Sequence, residues 1–113
     1  MRNKDPCLYI QDILEAIAHI EEYMEGLTFE EFKKDRKTAD AIIRNFAVIG
    51  KAAKNIPDSI KQEHPEIEWK RMTGMRDKLI HEYHGISLKV VWETAEIDLP
   101  ATKPQLQQLL KNL

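Results

Sequence analysis

The residues best equipped for chemistry stand in one run, Arg76-Asp77-Lys78-Leu79-Ile80-His81-Glu82-Tyr83. Histidine titrates near neutrality and serves as a general acid or base. Arginine stays charged and offers a planar fork of donors matched to phosphate oxygens. Arg76 with His81 therefore suits proton transfer at a bound phosphate. Asp77 lies four residues before His81, on the same face of a helix, where a carboxylate would orient the imidazole and favour its protonated form. Between Trp69 and Lys78, the cations Lys70, Arg71, Arg76 and Lys78 are set against Asp77 alone. Such a strip suits local contact with phosphates; on charge alone, a solvated helix face explains it equally well.

Helical geometry constrains this site. Five residues at about 100° each separate Arg76 from His81 by roughly 140°. One straight helix does not aim both at one phosphate. Tyr83, seven residues after Arg76, does share its face. Either the helix frays before Gly85, or a second copy completes the site; a two-fold dimer bringing two Arg and two His into one cleft is the favoured solution. A metal centre is the competing use of His81-Glu82-Tyr83-His84. A zinc-protease signature needs its two His four apart, whereas these are three apart and no third ligand is evident. His19, beside an apolar stripe, reads as structural, and His64, in a loop just before Pro65, has no evident partner. Cys7 is the lone cysteine, so no internal disulfide forms, and nothing nearby lowers its pKa.

The elements that must position these residues are helical. Ile10, Ile13, Leu14, Ile17, Ile20 and Met24 keep helical spacing from Pro6 until Gly26. Thr28 with Glu31 has the form of a capping box and opens a short helix to about Lys34. Ile42, Ile43, Phe46, Ile49, Ala53 and Ile56 predict a helix from about Thr38 to Asn55, stopped by Pro57. The stretch Pro57–Pro65 holds about one helical turn. The helix bearing the motif runs from about Ile67 or Trp69 to Tyr83, ended by Gly85. Ser87 caps another from Leu88 to about Ile97, and Pro100 with Pro104 delay the last one, which carries Leu106, Leu109 and Leu110. Nothing reads as a strand. Short connections predict an all-α, up-and-down bundle of four to five helices, with residues 1–113 as one domain.

Composition agrees with that class. At 42% apolar and 32% charged residues, the chain is globular and helix-friendly. No targeting segment or membrane span is visible, which predicts a cytoplasmic protein. A net charge of −2 argues against a general nucleic-acid coat protein, but the distribution is uneven. Residues 1–31 set Arg2 and Lys4 against eight acids, so the remainder is basic.

Arg76, four intervening residues, His81, one residue and Tyr83 resemble the R-x4-H-x-Y motif of the HepT-like toxins within the larger HEPN group. The likeness extends to Arg44–Ala52, Ile67-Glu68-Trp69, Gly74-Met75-Arg76 and Val91-Trp92, in order along essentially the whole chain. The resemblance implies a helical homodimer whose paired motifs line a cleft. It also implies a metal-independent endoribonuclease without cofactor, the toxin of a type VII-like toxin–antitoxin pair. The implied partner is a minimal nucleotidyltransferase of the MntA type, which silences the nuclease by attaching AMP to the motif tyrosine. On that basis Arg76 holds the scissile phosphate, His81 moves protons, Asp77 orients the site and Tyr83 is the modified residue; Lys70, Arg71 and Lys78 are candidate RNA contacts. Two positions depart from the family pattern: Lys51 stands where an acidic residue is common, and Asp77 where Asn is more frequent. The alternative to an enzyme is a non-catalytic helical subunit that binds a nucleotide or a nucleotidyltransferase.

Overall fold

Helix α1, Pro6–Met24, starts where the sequence expects it: Pro6 occupies the first turn, and the Asp5 carboxylate accepts the Cys7 N–H at 2.9 Å. The computed structural model describes the backbone of residues 5–81 and 87–113, with the side chains of residues 79–81 excepted. Ile10, Ile13, Ala16, Ile17 and Ile20 form the buried stripe of α1. Gly26 then turns the chain with φ +77°, a left-handed conformation that glycine adopts without strain. The capping box of α2, Phe29–Lys34, is formed in both directions, Glu31 N–H to Thr28 Oγ1 and Thr28 N–H to Glu31 Oε1 at 2.9 Å. This short helix buries Phe32, whose ring lies 5.1 Å from that of Trp92.

Helix α3, Arg36–Lys54, begins two residues before the expected Thr38. Asp35 is the cap: its carboxylate accepts the Thr38 hydroxyl at 2.7 Å and the Thr38 N–H at 3.0 Å. Thr38 is therefore the third helical residue, not the first. Those two bonds hold the Asp35 carboxyl below the usual carboxylate range. After the six-residue α4, Asp58–Glu63, the chain enters α5, Trp69–His81. The buried Trp69 indole donates to the His64 carbonyl at 3.1 Å and anchors the start of α5. The expected continuation to Tyr83 and the Gly85 stop lie outside the described residues.

Helix α5 packs along α3. Buried Gly50 makes this possible: a Cβ there would collide with Cβ of Arg76 and lie 2.8 Å from the Met72 carbonyl oxygen. The two backbones approach more closely than side chains would permit, because helix separation follows the side chains at the crossing.

The last part of the chain corrects the expectation. Helix α6, Leu88–Glu93, is capped by Ser87 and passes into a π-helical turn, Thr94–Asp98, and then α7, Leu99–Asn112, without a break. Pro100 and Pro104 do not delay α7. Pro100 sits in the first turn, where its absent N–H has no intrahelical partner to lose. Pro104 lies inside the helix on the same exposed face, so the Pro100 carbonyl it leaves unpaired faces water.

The result is an all-α fold, with no strand among the described residues. Helix α1 packs on α3 and α7, and α2 closes one end against α3 and α6. One contiguous core runs through all of them, from Ile10 and Ile42 to Val91 and Leu106.

Gly50→Ala should lower the unfolding free energy by about 1–3 kcal/mol in urea denaturation, the usual cost of overpacking. Gly74→Ala, whose Cβ would meet nothing within 4 Å, should be neutral or stabilise by up to about 1 kcal/mol through helix propensity. A depressed Asp35 pKa stabilises the fold above its unfolded value, and that contribution is lost as pH falls through the folded value. The stability gap between wild type and Asp35→Ala, followed by denaturation at successive pH values, should therefore shrink on acidification.

Candidate functional site

Helix α5 carries most of the candidate residues, and its rotation about its own axis is set by α3. Met72 and Arg76 share the side that meets Gly50. Arg76 is half-buried, its Cβ and Cγ packed on the Gly50 backbone. Among the described residues no carboxylate pairs with its guanidinium. An arginine stem held in this way loses few further rotamers when its head group binds an anion.

At about 100° per residue, Arg71, Met75 and Lys78 form a second stripe. These three line one wall of a groove of about 440 Å³, whose remaining walls come from α3, Glu66 and Glu68 before α5, and the continuous run of α6, the π-helical turn and α7. Lys70, Gly74 and Asp77 form a third stripe, which reaches the backbone position of His81. Lys70, Asp77 and Lys78 are exposed. Helix α5 is α-helical throughout to His81, so the angle of roughly 140° between the Arg76 and His81 positions applies to this helix. The described helix does not fray within that span. The His81 side chain, Tyr83 and His84 lie outside what the structure describes.

Among the candidate RNA contacts, Arg71 is already engaged. Its Nη2 donates to Asp98 Oδ2 at 2.7 Å, joining α5 to the π-helical turn. The Arg71 side chain is 63% exposed, so the pair is worth about 1 kcal/mol at most and a phosphate can compete for it. Lys70 and Lys78 have no ion-pair partner among the described residues.

The other histidines sit apart from this helix face. His19 stacks on Tyr23 with ring centroids 6.2 Å apart and lies 3.4 Å from Asn45 Oδ1. His64, expected to lack a partner, has one two residues on: its Nδ1 lies 3.4 Å from Glu66 Oε2, and its carbonyl receives the Trp69 indole N–H. Partial desolvation, then the neighbouring Asp5, push the Cys7 thiol up, away from the reactive thiolate. Among the described residues no three metal-ligating side chains gather, and no helix is long and apolar enough to cross a membrane. Lys51, on the exposed side of α3 in its last turn, suits the negative end of the helix dipole.

The groove was not legible in the spacing. Phe46, Ile49 and Met72 read as core, and they do form its floor. One signal was available. Gly74 lies mid-helix, where glycine costs about 1 kcal/mol against alanine, yet no neighbour needs the space.

Residues 13–109 match the family described as Ribonuclease HepT-like. A protein of Thermococcus cleftensis named "Probable ribonuclease HepT" is 48% identical over 103 residues, covering 91% of this chain and 94% of its own. A chain from Caldanaerobacter subterraneus subsp. tengcongensis, named as a "Putative RNase", is 37% identical over 96% of both. Another of that description, from Methanocaldococcus jannaschii, is 37% identical over 100% of this chain and 93% of its own. No solved structure matches.

Proposed function

The chain belongs to the ribonuclease HepT-like family, and from that premise we propose that it is a metal-independent endoribonuclease acting as a homodimer. The observation that carries the reading is the placement of Arg76. It is a half-buried arginine, unpaired among the described residues, on the helix that also bears His81. The angle between the two positions favours a site shared by two copies, with Arg76 of one protomer beside His81 of its partner.

In such a site the Arg76 guanidinium binds the scissile phosphate and neutralises the charge that grows on its non-bridging oxygens. The ribose 2′-hydroxyl attacks the phosphorus, its proton passes to a base, and the 5′-oxygen leaves with a proton from an acid. The His81 beside that arginine fills one of these proton-transfer roles, and water the other. Asp77 orients the imidazole, and Lys70, Arg71 and Lys78 hold the flanking backbone. The products are a 2′,3′-cyclic phosphate and a 5′-hydroxyl.

The physiological role we assign is that of a cytoplasmic toxin paired with a minimal nucleotidyltransferase antitoxin of the MntA type. Tyr83 shares the helical face of Arg76 in sequence. AMP attached to its phenolic oxygen would place a phosphodiester where the RNA phosphate binds and compete for the arginine.

Purified protein should cleave RNA in excess chelator and leave 2′,3′-cyclic phosphate ends. His81→Ala should lower the rate by about 100- to 10,000-fold and relieve growth arrest when expressed without antitoxin. A His81→Ala variant as toxic as the parent would sink the catalytic reading in favour of a non-catalytic nucleotide-binding subunit.

A further inference from the structure

Beside the motif lies a groove that the phosphate chemistry alone does not use. We propose that the groove between α5 and the α6–α7 rod is a base-recognition subsite for the nucleotide next to the scissile phosphate, selective for a base that carries an exocyclic amine. This rests on the ribonuclease reading and adds a specificity that the reading does not contain.

Three observations carry it. The first is size and lining: about 440 Å³, with Phe46, Ile49, Met72 and Met75 supplying an apolar floor. That volume falls within the ordinary range for small-molecule sites, and an apolar floor suits the face of a nucleobase.

The second is the distribution of charge along the groove. Arg71 and Asp98 neutralise each other across it. What remains is Lys78 towards the motif end of α5 and, before its first residue, Glu68 with Glu66, whose Oε2 also lies 3.4 Å from His64 Nδ1. The ten residues from Glu68 to Lys78 separate these ends by about 15 Å along the helix. A nucleotide is polar in the same sense, with an anionic phosphate at one end and the Watson–Crick edge of its base at the other. Laid with its phosphate at Lys78, it presents that edge to the carboxylates. Carboxylates accept from the amine of cytosine or adenine and repel the carbonyl oxygen that uracil has in its place. Gln105, whose amide donates to the Glu66 carbonyl at 3.3 Å, ties α7 to the acidic end and holds the wall in place.

The third is Gly74. It lines the groove, and a Cβ on it would meet nothing within 4 Å. Glycine at a helical position that has room for a side chain fits close approach of a ligand to the backbone. The same residue lowers the wall between the groove and the face that leads to His81.

The test is a titration that needs no turnover. Amide spectra of the protein are followed with cytidine 5′-monophosphate and uridine 5′-monophosphate as probes. The cytidine nucleotide should shift Gly74, Thr102 and Gln105 and bind about tenfold more tightly than the uridine nucleotide. Glu68→Gln should narrow that difference, and Gly74→Leu, checked for retained helicity and dimer mass, should abolish the shifts. Equal binding of the two nucleotides, or shifts confined to residues outside the groove, overturns the subsite. A short cytidine-containing RNA should displace the mononucleotide; failure to do so assigns the groove to a free nucleotide and overturns the substrate assignment. A protein that cleaves RNA but shows no groove shifts loses the subsite and keeps the nuclease reading. One that binds as described without cleaving does the reverse.

Discussion

Helices α3 and α5 meet backbone to backbone at Gly50, and the geometry of the candidate site follows from that contact. A helix carrying side chains on every face can rotate and slide against its neighbour at modest cost. One seated on a glycine cannot, because the Cβ of Arg76 and the carbonyl of Met72 already occupy the space that a side chain would need. This fixes which residues of α5 face inward. Met72 and Arg76 go to α3, Met75 and Lys78 to the groove, Lys70 and Asp77 to the outside, and Gly74 lies at the groove's edge between them.

The same contact shapes the electrostatics. Arg76 sits with its stem against the α3 backbone, so its charge is positioned without a carboxylate partner among the described residues. Exposed Lys78 on the second stripe and Lys70 on the third remain adaptable. A pre-oriented arginine flanked by mobile cations suits the division of labour at a phosphodiester, where one group must meet the reacting phosphate and the others need only hold the strand. Because α5 stays helical through His81, the histidine position faces away from the arginine. In the proposed dimer this divergence becomes useful: two copies related by a two-fold axis can each supply what the other aims elsewhere.

Much of this was legible in the sequence, because helical periodicity and caps are local. The stripe Ile10–Ile20 and the Thr28–Glu31 box were read from neighbours a few residues apart, and they form as expected. What could not be read depends on distant partners. Gly50 mid-helix looks like a weakness until residue 76 is seen against it. The Arg71–Asp98 pair spans 27 positions, and the groove draws on three separate stretches of the chain. Thr38 as a helix start and the two late prolines as a delay were misjudged for a shared reason. Residue type gives the preference, whereas the bond made by Asp35 and the exposure of Pro104 decide whether that preference prevails.

The central claim, that Arg76 and His81 act together across two copies, has a direct measurement. Arg76→Ala and His81→Ala proteins, each inactive alone, are mixed, unfolded and refolded together, and RNA cleavage is then assayed. A shared site regenerates one intact Arg–His pair in each mixed dimer, so roughly a quarter of wild-type activity should return with random pairing. Activity no greater than the sum of the two separate variants, in a preparation shown to contain mixed dimers, would contradict the account.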